Sequence, residues 1–233
     1  ASSAPVSGVI GISCAGGQPG TPSPALIISQ VSHDHDARGP PDTGKLNALV
    51  IDIKDWSGTV SFWLSLDPDR DLEPGYSDPV NITERGWNDG ALFADFTKDD
   101  SPRHFRLGIF SDREVWDPKK REWDEVPVAE RPMVDVARPP FGSGKWTHVL
   151  FTWTAFNTGK DDGVAKFYLN GEVQGSLIGR RQTFTWDPAK AVIHIGMYYI
   201  GLYDDLAIFD RALSPEEVGA LYRLEGGVKA LKK

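Results

Sequence analysis

The sequence predicts an all-β fold, a two-sheet antiparallel sandwich of jelly-roll type closed by one short C-terminal helix. Three observations carry this. Short runs of β-branched and aromatic residues recur between Gly, Pro, Asn and Asp turn signals. Within each run apolar and polar residues alternate, so one face is buried and the other is not. No strand-then-helix rhythm exists, and one segment alone carries helix signals, at the C-terminal end.

The elements follow in chain order. Residues 1–45 read as an irregular N-terminal segment rich in Gly, Pro, Ser and Asp, with one apolar strand at Ala25–Val31. Strand-like runs then come at Ala48–Ile53, Thr59–Leu66, Ala91–Phe96, His104–Phe110, His148–Thr154, Ala165–Leu169, Glu172–Leu177, Val192–Gly196 and Asp205–Phe209. Residues 71–141 read as a long, loop-rich insertion. Alternation places Phe105, Leu107, Phe151, Trp153, Phe167 and Ile208 in the core and turns Arg106 and Tyr168 outward. Asn170-Gly171 suits a two-residue hairpin, because both central residues of a type I′ turn need positive φ; Asp162-Gly163 offers a second turn of the same kind. In the helix Ser214 is the N-cap, Pro215 takes the first position and Glu217 completes a capping box. The whole chain, 1–233, reads as a single domain.

Composition narrows the function. Lys and Arg number 25 against 33 Asp and Glu, a net charge of −8. An acidic chain without a basic run excludes nucleic-acid binding, since phosphate contacts need clustered cations. No apolar run approaches the ~20 residues of a membrane-spanning helix. The single cysteine, Cys14, excludes an intrachain disulfide and a Cys-based zinc cluster.

Three blocks resemble laminin-G-like domains of the concanavalin A-like lectin/glucanase superfamily: GTVSFWLSLDPD at 58–69, KWTHVLFTWTAFNTGKDDGVAKFYLNGEVQGS at 145–176 and IGLYDDLAIFDRALSPEEVGALYRL at 200–224. The resemblance implies a jelly roll with a concave and a convex face, an extracellular or cell-surface setting, and carbohydrate or protein ligands. It also implies a structural Ca²⁺ at Asp204, where a carboxylate and backbone carbonyls suit a hard cation. The superfamily's hydrolase pattern Glu-x-Asp-x-x-Glu is missing from the sequence, although hydrolysis needs two opposed carboxylates.

Candidate site residues follow from the polar faces and the loops. Trp87 and Trp186 lie in polar loop contexts, as do Trp116 and Trp123, whereas Trp63, Trp146 and Trp153 belong to the core blocks. A flat ring beside amides and carboxylates suits sugar stacking. Arg106, Tyr168, His104 and His194 stand on polar strand faces; they are the inventory of a binding face and also of a lyase. His33, Asp34, His35 and Asp36 form a dense set of metal-type ligands, read as solvated loop. The acids Asp67, Asp69, Asp71, Glu73 and Asp78 start like a calcium loop, but Leu72 stands where that loop needs Gly, so they too read as a solvated loop. The expected function is a non-catalytic carbohydrate-binding or adhesion module with a polysaccharide or glycan ligand. The alternatives are a polysaccharide-degrading enzyme on the concave face and a structural cell-surface component.

Overall fold

The computed structural model describes residues 9–12, 26–28, 55–187 and 190–232. The expectations for His33 to Asp36, for Cys14 and for a strand at Ala48–Ile53 lie outside the described residues. Among the described residues there are twelve strands: β1 (Val9–Ile12), β2 (Leu26–Ile28), β3 (Trp56–Ser65), β4 (Ser77–Thr83), β5 (Ala91–Phe96), β6 (Phe105–Phe110), β7 (Met133–Val136), β8 (Trp146–Phe156), β9 (Gly163–Leu169), β10 (Glu172–Arg180), β11 (Val192–Met197) and β12 (Gly201–Phe209). Two four-residue helices, α1 (Pro68–Asp71) and α2 (Arg113–Trp116), sit in loops, and α3 (Pro215–Tyr222) follows the last strand.

The strands form two antiparallel sheets. The larger runs β1-β12-β3-β8-β9-β10, with β2 pairing the other half of β12 beside β1; the smaller runs β11-β4-β5-β6-β7. Residues 71–141, read from sequence as a loop-rich insertion, carry β4, β5, β6 and β7, four of the five strands of the smaller sheet. Strands β5 and β6 are the runs expected at Ala91–Phe96 and His104–Phe110; β4 and β7 are the strands the expectation lacked.

The core lies between the sheets, where alternation placed it. Val60, Phe62 and Leu64 of β3 meet Val149, Phe151 and Trp153 of β8 and Ala165, Phe167 and Leu169 of β9. The smaller sheet contributes Ile82, Leu92, Phe105, Leu107 and Ile109. All six residues expected in the core, with Ile208 from β12, are buried. The Asn170-Gly171 turn has both residues at positive φ, 51° and 80°, which matches the hairpin expected between β9 and β10. The chain before β9 instead turns through Asn157–Asp162, and Gly163 already belongs to the strand.

At one end of the sandwich Trp56 packs edge-on against Trp153, Phe156, Phe184 and Trp186, at centroid distances of 5.0, 5.9, 5.4 and 5.4 Å. Phe184 and Trp186 belong to the extended segment 181–187. Its backbone bonds come from both sheets: Asn157 donates to Gln182, Asp112 donates to Thr183, and the Asp112 carboxylate accepts from Thr185. Trp186 Nε1 donates to the Gly90 carbonyl at 2.8 Å.

Helix α3 covers the outer face of the larger sheet. Its capping box is complete: Ser214 Oγ accepts from the Glu217 amide and the Glu217 carboxylate accepts from Ser214. Val218 packs with Leu150, Tyr168, Ala207 and Phe209. Beside them His148 Nε2 and Ser61 Oγ lie 2.8 Å apart, and the imidazole sits against the Trp63 and Tyr222 rings. Trp63 therefore faces the helix and not the inter-sheet core.

Burial pushes the His148 imidazole down from 6.5 to about 3, so it is neutral in the native state. The unfolded chain takes up a proton below its ordinary value while the folded chain does not. Stability is then complete above pH 6.5 and lost as pH falls towards 3. Equilibrium urea unfolding between pH 7 and 4 should show a decline of up to ~1.4 kcal/mol per pH unit from this group. The His148→Gln variant, whatever its absolute stability, should lose that part of the slope; an unchanged slope counts against a buried neutral imidazole.

Candidate functional site

The outer face of the smaller sheet is as aromatic as its inner face. Cross-strand pairing fixes which residues share it. Asn81, Phe93 and Gly108 stand in one row, and Thr83, Ala91 and Phe110 in the next. Gly108 has a packing reason: a Cβ there would lie 2.3 Å from Phe93 Cζ, so the Phe93 ring lies over the space that glycine leaves. Phe93 stacks on Phe110 at 5.5 Å, and Phe110 meets Trp87, Trp116 and Trp123 at 5.4, 5.1 and 5.8 Å. The β4–β5 loop carries Trp87 and is held from several sides. Arg85 bonds Asp89, Asp112 and Thr185, and Trp116 Nε1 donates to the Asn88 carbonyl.

Of these rings Trp87, Phe93 and Trp123 line a pocket of about 570 Å³, with Phe110 and Trp116 packed behind them. Tyr76, Trp87, Trp123 and Tyr198 form its sides; Phe93, Met133 and Met197 add apolar floor. Three rim aromatics are conspicuously open to solvent: Trp87 at 45 %, Tyr76 at 44 % and Tyr198 at 54 %. Burying a ring is favourable, so exposed rings gathered around one cavity mark a surface that has a use.

The polar groups of the pocket are Asp78, Asp95 and Arg106. Asp95 and Arg106 are cross-strand partners, and the guanidinium closes on the carboxylate through Nε, at 2.9 Å, and Nη2. Burial pushes the Asp95 carboxyl up and the Arg106 bonds pull it back; burial would lower the guanidinium, and its bonds to Asp95 outweigh that. Arg106 also lies over the Tyr76 ring at 5.2 Å. Asp78 accepts a hydrogen bond of 2.9 Å from Asn81 Nδ2. Burial, with the Asp95 charge adding to it, pushes its carboxyl up to about 6 against the pull of Asn81 and Arg106.

The sequence-derived candidates divide. Trp87 and Arg106 stand together in the pocket. Tyr168 is turned outward as alternation requires, but on the larger sheet, where α3 covers it and leaves it 3 % exposed. Trp186 is 6 % exposed, drawn between the sheets by Trp56 and by its bond to Gly90; it supports the Trp87 loop from behind. His104 caps the end of the same face, its Nδ1 2.9 Å from Asp135, and does not line the pocket. His194 is exposed on edge strand β11, opposite Asn81, and also stands outside the lining. Asp204 is buried in β12 and its Oδ1 accepts from the Asp205 amide. Among the described residues no group of three or more His, Cys, Asp or Glu side chains could hold a metal ion.

Sequence reasoning named Trp123 among the loop tryptophans but missed Tyr76, Asp78, Asp95 and Tyr198 as its neighbours in the pocket. The signal for Asp95 was available: Phe93 and Asp95 share the outer face of a recognised strand. Asp78 was grouped with a solvated loop, and the structure separates it from that loop. Asp71 accepts the Asp67 amide, Asp69 accepts the Arg103 amide, and Asp78 stands in β4.

The comparisons with known proteins follow this architecture. A family model described as the concanavalin A-like lectin/glucanases superfamily, of laminin G type, matches residues 42–219. The chain belongs to this superfamily. No curated protein matches it as a sequence relative. Solved structures similar to this concanavalin A-like domain include the receptor binding domain of botulinum neurotoxin D, at 17 % identity and a TM-score of 0.44, covering 72 % of this chain and 37 % of that one. Another is a carbohydrate-binding module, CBM40, of a Ruminococcus gnavus sialidase, in complex with sialyllactose, at 12 % identity and a TM-score of 0.45, covering 74 % of this chain and 84 % of that one. The chain spans well under half the length of the neurotoxin domains it matches.

The raised Asp78 carboxyl makes this lectin-like domain testable without a ligand. The unfolded chain ionises at 3.8 and the folded chain at about 6, so stability falls as pH rises through that window and the cost is fully present above it. Asp78→Asn keeps the shape and removes the charge. It should stabilise the protein at pH 7.5 by on the order of 1–2 kcal/mol, after discounting for partial exposure, and change nothing at pH 4 or below. Thermal melts of the two proteins at both pH values check this; a variant no more stable at pH 7.5 contradicts it.

Proposed function

We propose that this domain is a non-catalytic glycan-binding module of a secreted or cell-surface protein, and that the pocket on the outer face of the smaller sheet is its binding site. The observation that carries the reading is the set of exposed rings, Tyr76, Trp87 and Tyr198, around one cavity with a short polar row at its base. A sugar ring presents an apolar face for stacking and hydroxyls at its edge, and the pocket offers both complements.

The degradative alternative is less well supported. A uronate lyase needs a free cation to neutralise the substrate carboxylate. Arg106 is committed to Asp95, and Asp78 stands beside it. A glycosidase needs two working carboxyls, and Asp95 is closed off by the same guanidinium. The site therefore favours neutral or cationic glycans over acidic ones.

The test is a titration of wild type, Trp87→Ala and Tyr198→Ala against a panel of plant, algal and bacterial polysaccharides, with product release followed in parallel. Removing either ring should weaken binding by ~1–2 kcal/mol, a five- to thirtyfold loss of affinity. Tyr168→Phe, beneath α3 on the opposite sheet, should bind as wild type does. Failure of wild type to bind any member of the panel, or depolymerisation with turnover, would replace the proposal.

A further inference from the structure

We propose that the glycan this pocket prefers carries a free, protonated amine, held as the counterion of Asp78. The inference rests on the glycan-binding reading above and names its ligand class.

The argument starts from what the charges in the pocket already do. Arg106 gives both its Nε and Nη2 to Asp95, so one cation and one anion neutralise each other. Asp78 has a single neutral partner, Asn81 Nδ2, and forms no ion pair among the described residues. The other charged groups of this face do not supply one. Asp135, on β7, is bonded to His104 and adds negative charge near the Asp95–Arg106 pair. Lys98 lies over the Tyr76 ring at 5.5 Å and pairs with Asp99, and the Arg131 guanidinium is turned to the Val126 and Trp123 carbonyls. The base of the pocket thus holds one carboxylate more than it holds cations.

The walls fit the same occupant. An ammonium group is attracted to the face of an aromatic ring as well as to a carboxylate. Protein cations already lie against Tyr76 and Trp123, whereas Trp87 keeps its ring 45 % exposed for a ligand. An amine on a sugar whose ring stacks on Trp87 would enter a pocket with aromatic sides and a carboxylate at its base. The desolvation that burdens Asp78 in the empty pocket favours a bound cation, because an ion pair formed away from water is stronger than one in water. A uronate or sialate would meet the reverse.

Three β-1,4-linked tetramers, of glucosamine, N-acetylglucosamine and glucose, share one backbone and differ only at C2. Calorimetric titration at pH 6.5 and low salt should give the glucosamine tetramer about a tenfold or greater advantage over the other two. Asp78→Asn should abolish that advantage, bringing the glucosamine tetramer level with the neutral two. Equal affinity of the three, or an advantage that survives Asp78→Asn, overturns the inference. Should the variant fail to fold, wild type decides alone. Near pH 6, where part of Asp78 is protonated, the amine must expel that proton on binding, seen as a heat that varies with the buffer's ionisation enthalpy. Amine binding without proton release overturns the inference. A lysine-rich peptide that displaces the glucosamine tetramer at equal concentration moves the ligand from glycan to protein and also overturns it. If none of the tetramers binds while another polysaccharide does, this inference falls and the glycan reading stands; if nothing binds, both fall.

Discussion

The edge-on packing of Trp56 against Trp153, Phe156, Phe184 and Trp186 is the contact on which the rest of the molecule hangs. Two of those rings come from β8, whereas the other two come from a segment with no ladder of its own. The segment 181–187 is held by side chains and backbone of the loops around it, and it draws those loops together at one end of the sandwich. Gly90 is fixed by Trp186, Asp112 by Thr185, and Arg85 by both Asp112 and Thr185. Trp87 sits between Arg85 and Gly90. The exposure of that ring is thus maintained by a buried one, since a loop free to relax would fold an apolar side chain back onto the protein.

Electrostatics and packing act together on the site face. The smaller sheet buries apolar side chains on one face and carries Phe93, Phe110, Trp116, Trp123 and Met133 on the other. Polar residues on such a sheet are few; some are fixed by a partner across the strand, and Asp78 by Asn81 on its own strand. Asp95 faces Arg106, and Arg106 faces Asp135. With its guanidinium closed on Asp95, Arg106 offers little to an anion.

Much of the fold was legible in the sequence because its signals are local. Period-two alternation identifies an inward face, Asn170-Gly171 identifies a hairpin, and Ser214 with Glu217 identifies a helix start. The three family blocks gave the order of these elements. The site was legible only in part, and the reason is geometric. Alternation says that Tyr168 points out of the sandwich, but not that α3 will lie over it. Polar neighbours say that Trp186 is in a loop, but not that the loop threads between the sheets. Asp78 and Asp95 share a pocket because of strand register and a bulge in β4, and neither is a property of a short window of sequence. Within the smaller sheet β5, β6 and β11 were legible by alternation, whereas β4 was hidden by Pro79 and its bulge and β7 by its four-residue length.

Strand β10 ends the larger sheet, and its outer edge carries exposed Val173 and Ile178. A straight apolar edge of this kind is a template on which another chain can add a strand. Here the register slips twice along its length, between Val173 and Gly175 and again between Ile178 and Arg180, and Gly179 sits at φ 70°. Arg180 then reaches away from the sheet to the carbonyls of Ala129 and Glu130. The row of backbone donors and acceptors is broken before it is long enough to zip onto a neighbour. The bulges of this one strand interrupt the edge that an added strand would have to follow.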